Sequence, residues 1–191
     1  TTVALARELA ARLPGRFADA PVARTRQAAV DGTLSIMVGA DEPLFRRIDP
    51  LLRCMASDVP LCGAPGAGPA VPPLHNPVLS VTVVALAEAL AVAKASGAVD
   101  PRVLFETLAR GSADSFALRN HGMKAMLPGV FPERAFSTEY ALKDLSYAIQ
   151  MAEERGVPAL GADVVRELME RAAELGHGKE YWPVILKAIE D

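Results

Sequence analysis

The sequence has few aromatic residues and little net charge. Aromatic side chains make up 5% of its 191 residues, whereas apolar residues as a whole reach 51%. A chain with few large rings and many Ala, Leu and Val residues favours helices packed on helices over a β-sandwich. The formal net charge is −3 and no basic stripe is interleaved with aromatics, so we expect no nucleic-acid partner.

Cysteine is also scarce, and the spacing of Cys54 and Cys62 fits no metal-binding motif. We expect reduced thiols, no metal site and a cytoplasmic protein, since the opening residues lack the pattern of a secretory signal. The most apolar run, residues 77–93, contains polar residues and is shorter than the ~20 residues of a typical membrane span. It therefore predicts a buried helix and no membrane partner.

The glycine fingerprint of a dinucleotide-binding domain is missing as well. In that fingerprint, G-x-G-x-x-G follows a strand and begins a helix whose N-terminus receives the pyrophosphate. The glycine-rich stretch at 63–68, GAPGAG, is followed by four prolines within ten residues. We interpret this stretch as a domain junction and not as a phosphate loop.

What the chain does contain divides into an α/β part and a helical part. In residues 1–65 the pattern predicts helices at 3–13 and 41–56 and extended segments at 16–22, 33–40 and from 58 onward. Residues 66–191 predict helices only, the first of them capped by Asn76 with Pro77 in its first turn. The predicted fold is mainly α with an α/β N-terminal fragment, and the predicted domains are 1–65 and 66–191.

Four passages, in this order, resemble the β-hydroxyacid dehydrogenases, the family of 3-hydroxyisobutyrate dehydrogenase. They are DAPVARTRQAAVDGTLSIMVGA at 19–40, GAGPAVPPLHN at 66–76, the helical stretch 85–112, and F-x6-KDL at 136–145. The resemblance implies a helical domain like the C-terminal domain of 6-phosphogluconate dehydrogenase, following a partial Rossmann domain. It also implies an oxidoreductase that moves a hydride between a small β-hydroxyacid and NAD or NADP, and a homodimer or larger homo-oligomer formed through the helical domain.

One departure concerns the proton carrier of that family. Aligned on the family's glycines, Pro72 stands at the position of its catalytic lysine. An amine can accept the alcohol proton and stabilise a developing alkoxide, and proline can do neither. Asn76 falls on the family's substrate-orienting asparagine, or it only caps a helix. His75 precedes it, and is either a replacement acid–base group, because its ordinary pKa is near neutral, or a solvated histidine at a helix start.

The other positions implied by the resemblance are a loop and a lysine. The family's Ser-Gly-Gly substrate loop is Ala23-Arg24-Thr25 here, so Arg24 or Arg26 either binds a substrate carboxylate through its planar fork or is a solvated loop residue. Lys143 of the KDL motif keeps the family's cofactor-contacting position, and a solvated surface lysine is the alternative.

We therefore predict a member of an NAD(P)-dependent oxidoreductase family in which the 191-residue chain is itself inactive. The alternative is a catalytically dead relative that serves as a dimerisation or ligand-binding scaffold. The choice between NAD and NADP depends on a residue of the strand that follows the glycine fingerprint. Because the fingerprint is not in this sequence, the sequence does not predict which of the two cofactors is used.

Overall fold

The structure, a computed structural model, describes residues 2–24 and 26–191, the side chain of Arg26 excepted. The chain forms two compact units, one up to Leu74 and one from His75 to Asp191. The predicted mainly α fold with an α/β N-terminal fragment is confirmed.

The first unit combines short helices with short strands. Its helices are α1 (Val3–Arg12), α2 (Arg26–Val30) and α3 (Glu42–Leu52), and its strands are β1 (Val22–Ala23), β2 (Leu34–Ile36), β3 (Val38–Gly39), β4 (Ala56–Asp58) and β5 (Leu61–Gly63). Strand β2 pairs antiparallel with β1 and parallel with β4, and β3 pairs parallel with β5. The single strand predicted at 33–40 is thus divided at Met37 into two strands with different partners.

Alternating apolar residues explain the core of this unit. Successive side chains of an extended chain point to opposite faces, so residues two apart share a face. Ile36, Val38 and Ala40 follow this spacing and are buried together with Leu44 of α3 and with Ala56 and Val59. Helix α3 begins after Asp41 with Pro43 in its first turn, a position where the missing N–H of proline is not needed.

The second unit is helical. It contains most of α4 (Ala67–Ser96), then α5 (Pro101–Leu108), a π-helical segment at Leu118–Met126, α6 (Thr138–Glu153), α7 (Leu160–Ala172) and α8 (Ile185–Glu190). The capping residues behave as their types predict: Asp100 accepts hydrogen bonds from the first amides of α5, and Ser137 accepts one from Tyr140 of α6. The core combines α4 residues such as Val83, Leu90 and Ala87 with side chains from every later helix.

Helix α4 begins ten residues earlier than the sequence predicts, at Ala67 and not at Pro77. It includes Pro69, Pro72, Pro73 and Pro77. Asn76 is therefore an interior residue of α4, and its predicted role as N-cap is wrong. Pro69 lies in the first turn, where its missing N–H would have no partner within the helix. Pro72, Pro73 and Pro77 lie further in, and each removes an interior hydrogen bond. The start of the helix is fixed instead by contacts with Asp19.

Among the described residues, α4 is the one helix whose length and composition would allow it to cross a membrane. It has 30 residues and a most apolar window with a mean hydropathy of 1.9, of which 39% is buried. Core helices of soluble proteins share these properties, so this is weak evidence for a span. The predicted absence of a membrane partner stays a prediction.

Candidate active site

The N-terminus of α4 holds a buried carboxylate. Asp19, which is 5% exposed, accepts hydrogen bonds from the backbone amides of Gly66 and Gly68, the latter at 3.0 Å from its Oδ1. The first amides of a helix have no partner within the helix and carry a partial positive charge, so they bind anions. Here the anion is supplied by the chain itself.

Two glycines make room for this carboxylate. A Cβ added to Gly39 would collide with the Asp19 carboxylate, and one added to Gly68 would also lie 2.5 Å from the Met37 carbonyl oxygen. The backbones of Asp19 and Gly39 pair in both directions, with N···O distances of 3.0 and 2.9 Å. The glycines of the GAPGAG stretch therefore serve a close internal contact.

Pro72, His75 and Asn76 all lie on α4. The His75 Nδ1 is 3.4 Å from the Asn76 Oδ1, and the Asn76 carbonyl oxygen accepts a hydrogen bond from the Ser80 hydroxyl at 2.7 Å. His75 is exposed and Asn76 is half-buried. The structure thus brings the two predicted catalytic side chains together, as adjacent residues of one helix. Their predicted catalytic and substrate-orienting roles stay predictions.

The loop at 23–25 is held by its own arginine. Arg24 adopts a left-handed backbone conformation with a φ of 85°, which residues other than glycine rarely adopt. Its Nη1 donates to the Thr33 carbonyl oxygen at 2.7 Å and to the Ser57 hydroxyl at 2.8 Å. The guanidinium is therefore engaged within the first unit. Ala23 is an exposed residue of β1, and Thr25 lies outside the described residues.

Lys143 lies in a cluster of exposed aromatic side chains on α6. Its Nζ is 3.8 Å from the centroid of the Tyr140 ring and 5.9 Å from that of Tyr147, and it is 3.2 Å from the Asp144 carboxylate. The hydrogen bond with Asp144 raises the pKa of Lys143 above its usual value. The group is thus a persistent cation. It is suited to contact an anion, but it is unsuited to act as a base at neutral pH because it is already protonated.

A pyrophosphate-binding site does not fit these residues. The first amides of α4 are already bonded to Asp19 and are not free to receive a pyrophosphate. Lys143 supplies one cationic contact, which it shares with Asp144. In the parts of the chain that the structure describes, no three His, Cys, Asp or Glu residues form a metal-binding group. Both cysteines are free thiols, and burial raises the pKa of Cys62.

Sequence reasoning missed one further cluster, formed by His121 and Tyr181. His121 is buried, and its Nδ1 lies 2.6 Å from the Tyr181 hydroxyl. Burial lowers the pKa of His121 to about 4. No motif announces this pair, since the two residues are separated by 60 positions and neither belongs to a passage that carries the resemblance. The role of Asp19 had a signal, because it opens the DAPV passage.

Comparison with known proteins defines the class of the chain. Residues 1–63 match the family model described as the NAD-binding domain of 6-phosphogluconate dehydrogenase, and residues 66–188 match that described as NAD-binding of NADP-dependent 3-hydroxyisobutyrate dehydrogenase. Both models describe NAD-binding parts of dehydrogenases, and the second covers more than half of the chain. The chain belongs to the 3-hydroxyisobutyrate dehydrogenase family, as its motifs predict.

Individual relatives agree with this assignment. The 2-(hydroxymethyl)glutarate dehydrogenase of Eubacterium barkeri is 32% identical over 91% of this chain and 57% of its own length. For the 2-hydroxy-3-oxopropionate reductase of Escherichia coli K12, the values are 31%, 93% and 60%. The 3-hydroxyisobutyrate dehydrogenase of Mycobacterium tuberculosis, solved with L-serine, superposes with a TM-score of 0.84 at 29% identity, over 100% of this chain and 67% of that one. The chain thus spans about three fifths of the length of these curated relatives.

Proposed function

We propose that this chain is part of an NAD(P)-dependent oxidoreductase for a small β-hydroxyacid, and that the 191 residues alone are inactive. The observation that supports the inactivity is Pro72, which occupies the lysine position of the family motif and lies inside α4. A proline ring has no group that can accept or donate a proton. The family relation supports the cofactor and the substrate class, since the relatives named above are dehydrogenases or reductases of such acids.

Within this proposal, Lys143 contacts the cofactor and Asn76 contacts the substrate. Two features support the role of Lys143 in cofactor binding. One is its persistent charge, and the other is the pair of rings beside it, Tyr140 and Tyr147, which offer flat surfaces for a planar group. His75 has no described partner except Asn76, so we place it beside the substrate and not in place of the lysine. Arg24 is assigned to holding its loop, because its guanidinium is bonded to Thr33 and Ser57.

The test is an assay of NAD(P)H formation from 3-hydroxyisobutyrate, together with a titration of the chain with NAD and NADP. We expect no turnover and only weak binding, which Lys143→Gln abolishes and the control Lys124→Gln, another exposed lysine of the second unit, does not. Turnover by the unmodified chain would contradict the proposal and would transfer the acid–base role to His75. Tight binding that is unaffected by Lys143→Gln would contradict the role of Lys143.

A second function, as a scaffold for self-association, is favoured by an exposed stripe on α4 that is apolar except for Glu88. Val78, Val81, Ala85, Glu88 and Val92 are spaced alternately by three and four residues and are exposed, Val78 at 70% and Val92 at 66%. This spacing places them along one face of the helix. Val81 lies against Gly161, next to Leu160, which is 71% exposed.

We propose that a second copy of the chain covers this stripe, giving a homodimer or a larger homo-oligomer, and that the protein works in the cytoplasm with α4 packed against protein and not lipid. Light scattering should show a mass above that of one chain. Val78→Glu should reduce that mass, whereas Val130→Glu, a matched change at an exposed valine away from α4, should not. A strictly monomeric chain would contradict the dimer.

A further inference from the structure

The buried pair of His121 and Tyr181 has a feature that packing alone does not explain. His121 is 7% exposed, and its ring packs against the rings of Phe116 and Trp182 at centroid distances of 6.0 and 5.3 Å. Its Nε2 is buried and has no hydrogen-bond partner among the described residues. A buried nitrogen without a partner is costly, and a phenylalanine ring would fill the same space without that cost. The benefit of a histidine here must therefore come from Nδ1, the atom that bonds the Tyr181 hydroxyl.

The backbone around Tyr181 holds the beginning of α6. Tyr181 and Ser137 form an isolated antiparallel bridge. The Thr138 amide donates to the Glu180 carbonyl oxygen at 3.0 Å, and the Trp182 amide donates to that of Phe136 at 3.1 Å. The first of these bonds satisfies an amide at the start of α6, where the helix itself provides no acceptor, and the second joins Trp182 to the residue before the Ser137 cap. The segment at 180–182 thus fixes the direction in which α6 begins.

From that start, side-chain contacts lead directly to Lys143. The rings of Phe136 and Tyr140 lie edge to face with centroids 5.1 Å apart, and the Lys143 Nζ lies 3.8 Å from the Tyr140 centroid. A displacement of the first turn of α6 therefore moves the ring on which the ammonium rests. Every residue in this series belongs to the second unit.

We infer that the hydrogen bond between His121 and Tyr181 positions Lys143, by fixing the segment that anchors the first turn of α6. His121 is a positioning residue and touches no ligand. The π-helical geometry of its segment, seen in hydrogen bonds from Leu127 to Gly122 and from Val130 to Ala125, is a form that recurs at functional sites. The inference rests on the proposed function only for the use made of Lys143, because the contacts themselves involve no ligand.

The test compares substitutions at the two ends of the bond in the full 191-residue chain. Tyr181→Phe removes one hydroxyl and keeps the ring. We expect it to speed hydrogen exchange of the Thr138, Glu139 and Tyr140 amides by about tenfold, the effect of losing roughly one net hydrogen bond. The ε-methylene resonances of Lys143, shifted by the Tyr140 ring, should move toward those of a free lysine.

Variants at His121 separate positioning from packing. His121→Phe keeps a ring and should reproduce the changes at α6, whereas His121→Asn places an amide near the Nδ1 position and should restore part of the wild-type behaviour. The control is Lys94→Met, which removes the Lys94–Glu190 pair, 2.8 Å apart in the same unit, and should leave α6 and Lys143 unchanged.

Wild-type exchange rates and Lys143 resonances in Tyr181→Phe would overturn the inference, as would equal changes in Lys94→Met. Tyr181→Phe decides the matter if His121→Phe does not fold. The outcome is separable from that of the proposed function. If NADP leaves the Lys143 resonances of the wild-type chain unchanged, the role of Lys143 in cofactor binding fails, while the coupling to His121 is still measured.

Discussion

The clearest physical prediction concerns acid and the buried ring of His121. Burial lowers its pKa from 6.5 to about 4, because the charged form loses its hydration in an apolar surrounding of Phe116 and Trp182. The folded chain therefore binds a proton less readily than the unfolded chain. Stability that depends on neutral His121 is fully present above about pH 6.5 and is lost as the pH falls toward 4.

The size of this effect follows from the shift. One pKa unit corresponds to about 1.4 kcal/mol, so the full shift sets an upper limit of about 3 kcal/mol, reached near pH 4. Between about pH 7.5 and pH 5 the loss is about 2 kcal/mol at most, and about 1–2 kcal/mol once residual contact with solvent is allowed for. The groups that face His121 add little in this range, since Tyr181 is its one ionisable contact described and burial raises the pKa of that phenol.

Urea denaturation of the wild-type chain and of His121→Asn at both pH values would measure the effect. Both proteins contain His75 and His177, so the difference between their free energies of unfolding isolates His121. Burial raises the pKa of Glu180, but the hydrogen bonds with His177 and Lys187 together outweigh it and leave that pKa lowered from its usual value of 4.5, so Glu180 titrates in a more acidic range. Equal pH dependence in the two proteins would refute the assignment of a buried, neutral histidine.

Three further predictions concern α4 and the loop before it. Gly68→Ala should destabilise the first unit by at least ~2 kcal/mol in urea denaturation, because its Cβ would collide with backbone and carboxylate oxygens. Gly111→Ala, whose Cβ would meet no atom closer than the Thr107 carbonyl oxygen at 3.7 Å, is the control for added volume, and equal losses would contradict the close fit. Asp19→Ala should cost about 2–4 kcal/mol, since it leaves two buried amides without an acceptor, whereas an unchanged midpoint would show that water replaces the carboxylate. Pro72→Lys alone should give no NAD(P)-dependent turnover, because the first amides of α4 are bonded to Asp19 and offer no free site for a pyrophosphate; measurable NADPH formation from 3-hydroxyisobutyrate would disprove this.

Much of the fold follows from patterns that are local. The alternation of Ile36, Val38 and Ala40 and the caps at Asp100 and Ser137 are set by neighbours in sequence, and the structure has these elements. The start of α4 was misjudged because its determinant is not local: Asp19, 47 residues away from Gly66, stabilises a first turn that the prolines would otherwise discourage.

The candidate site was predicted less completely for the same reason. Lys143 was identified from its motif, but the rings and the carboxylate that hold its charge depend on the geometry of α6. The hydrogen bond from Arg24 to Ser57 joins residues 33 positions apart, and no rule based on local spacing predicts such a contact. The pair of His121 and Tyr181 depends on a tertiary contact between two segments that show no distinguishing pattern.

The carboxylate at the start of α4 also sets an order of events during folding. The bond from Gly66 to Asp19 closes a loop of 47 residues, and closing a loop of that length is entropically costly until the strands within it have formed. We therefore expect the first turn of α4 to form late, after β2 and β4 have paired. Substitutions at Asp19 would then speed unfolding and leave the folding rate nearly unchanged.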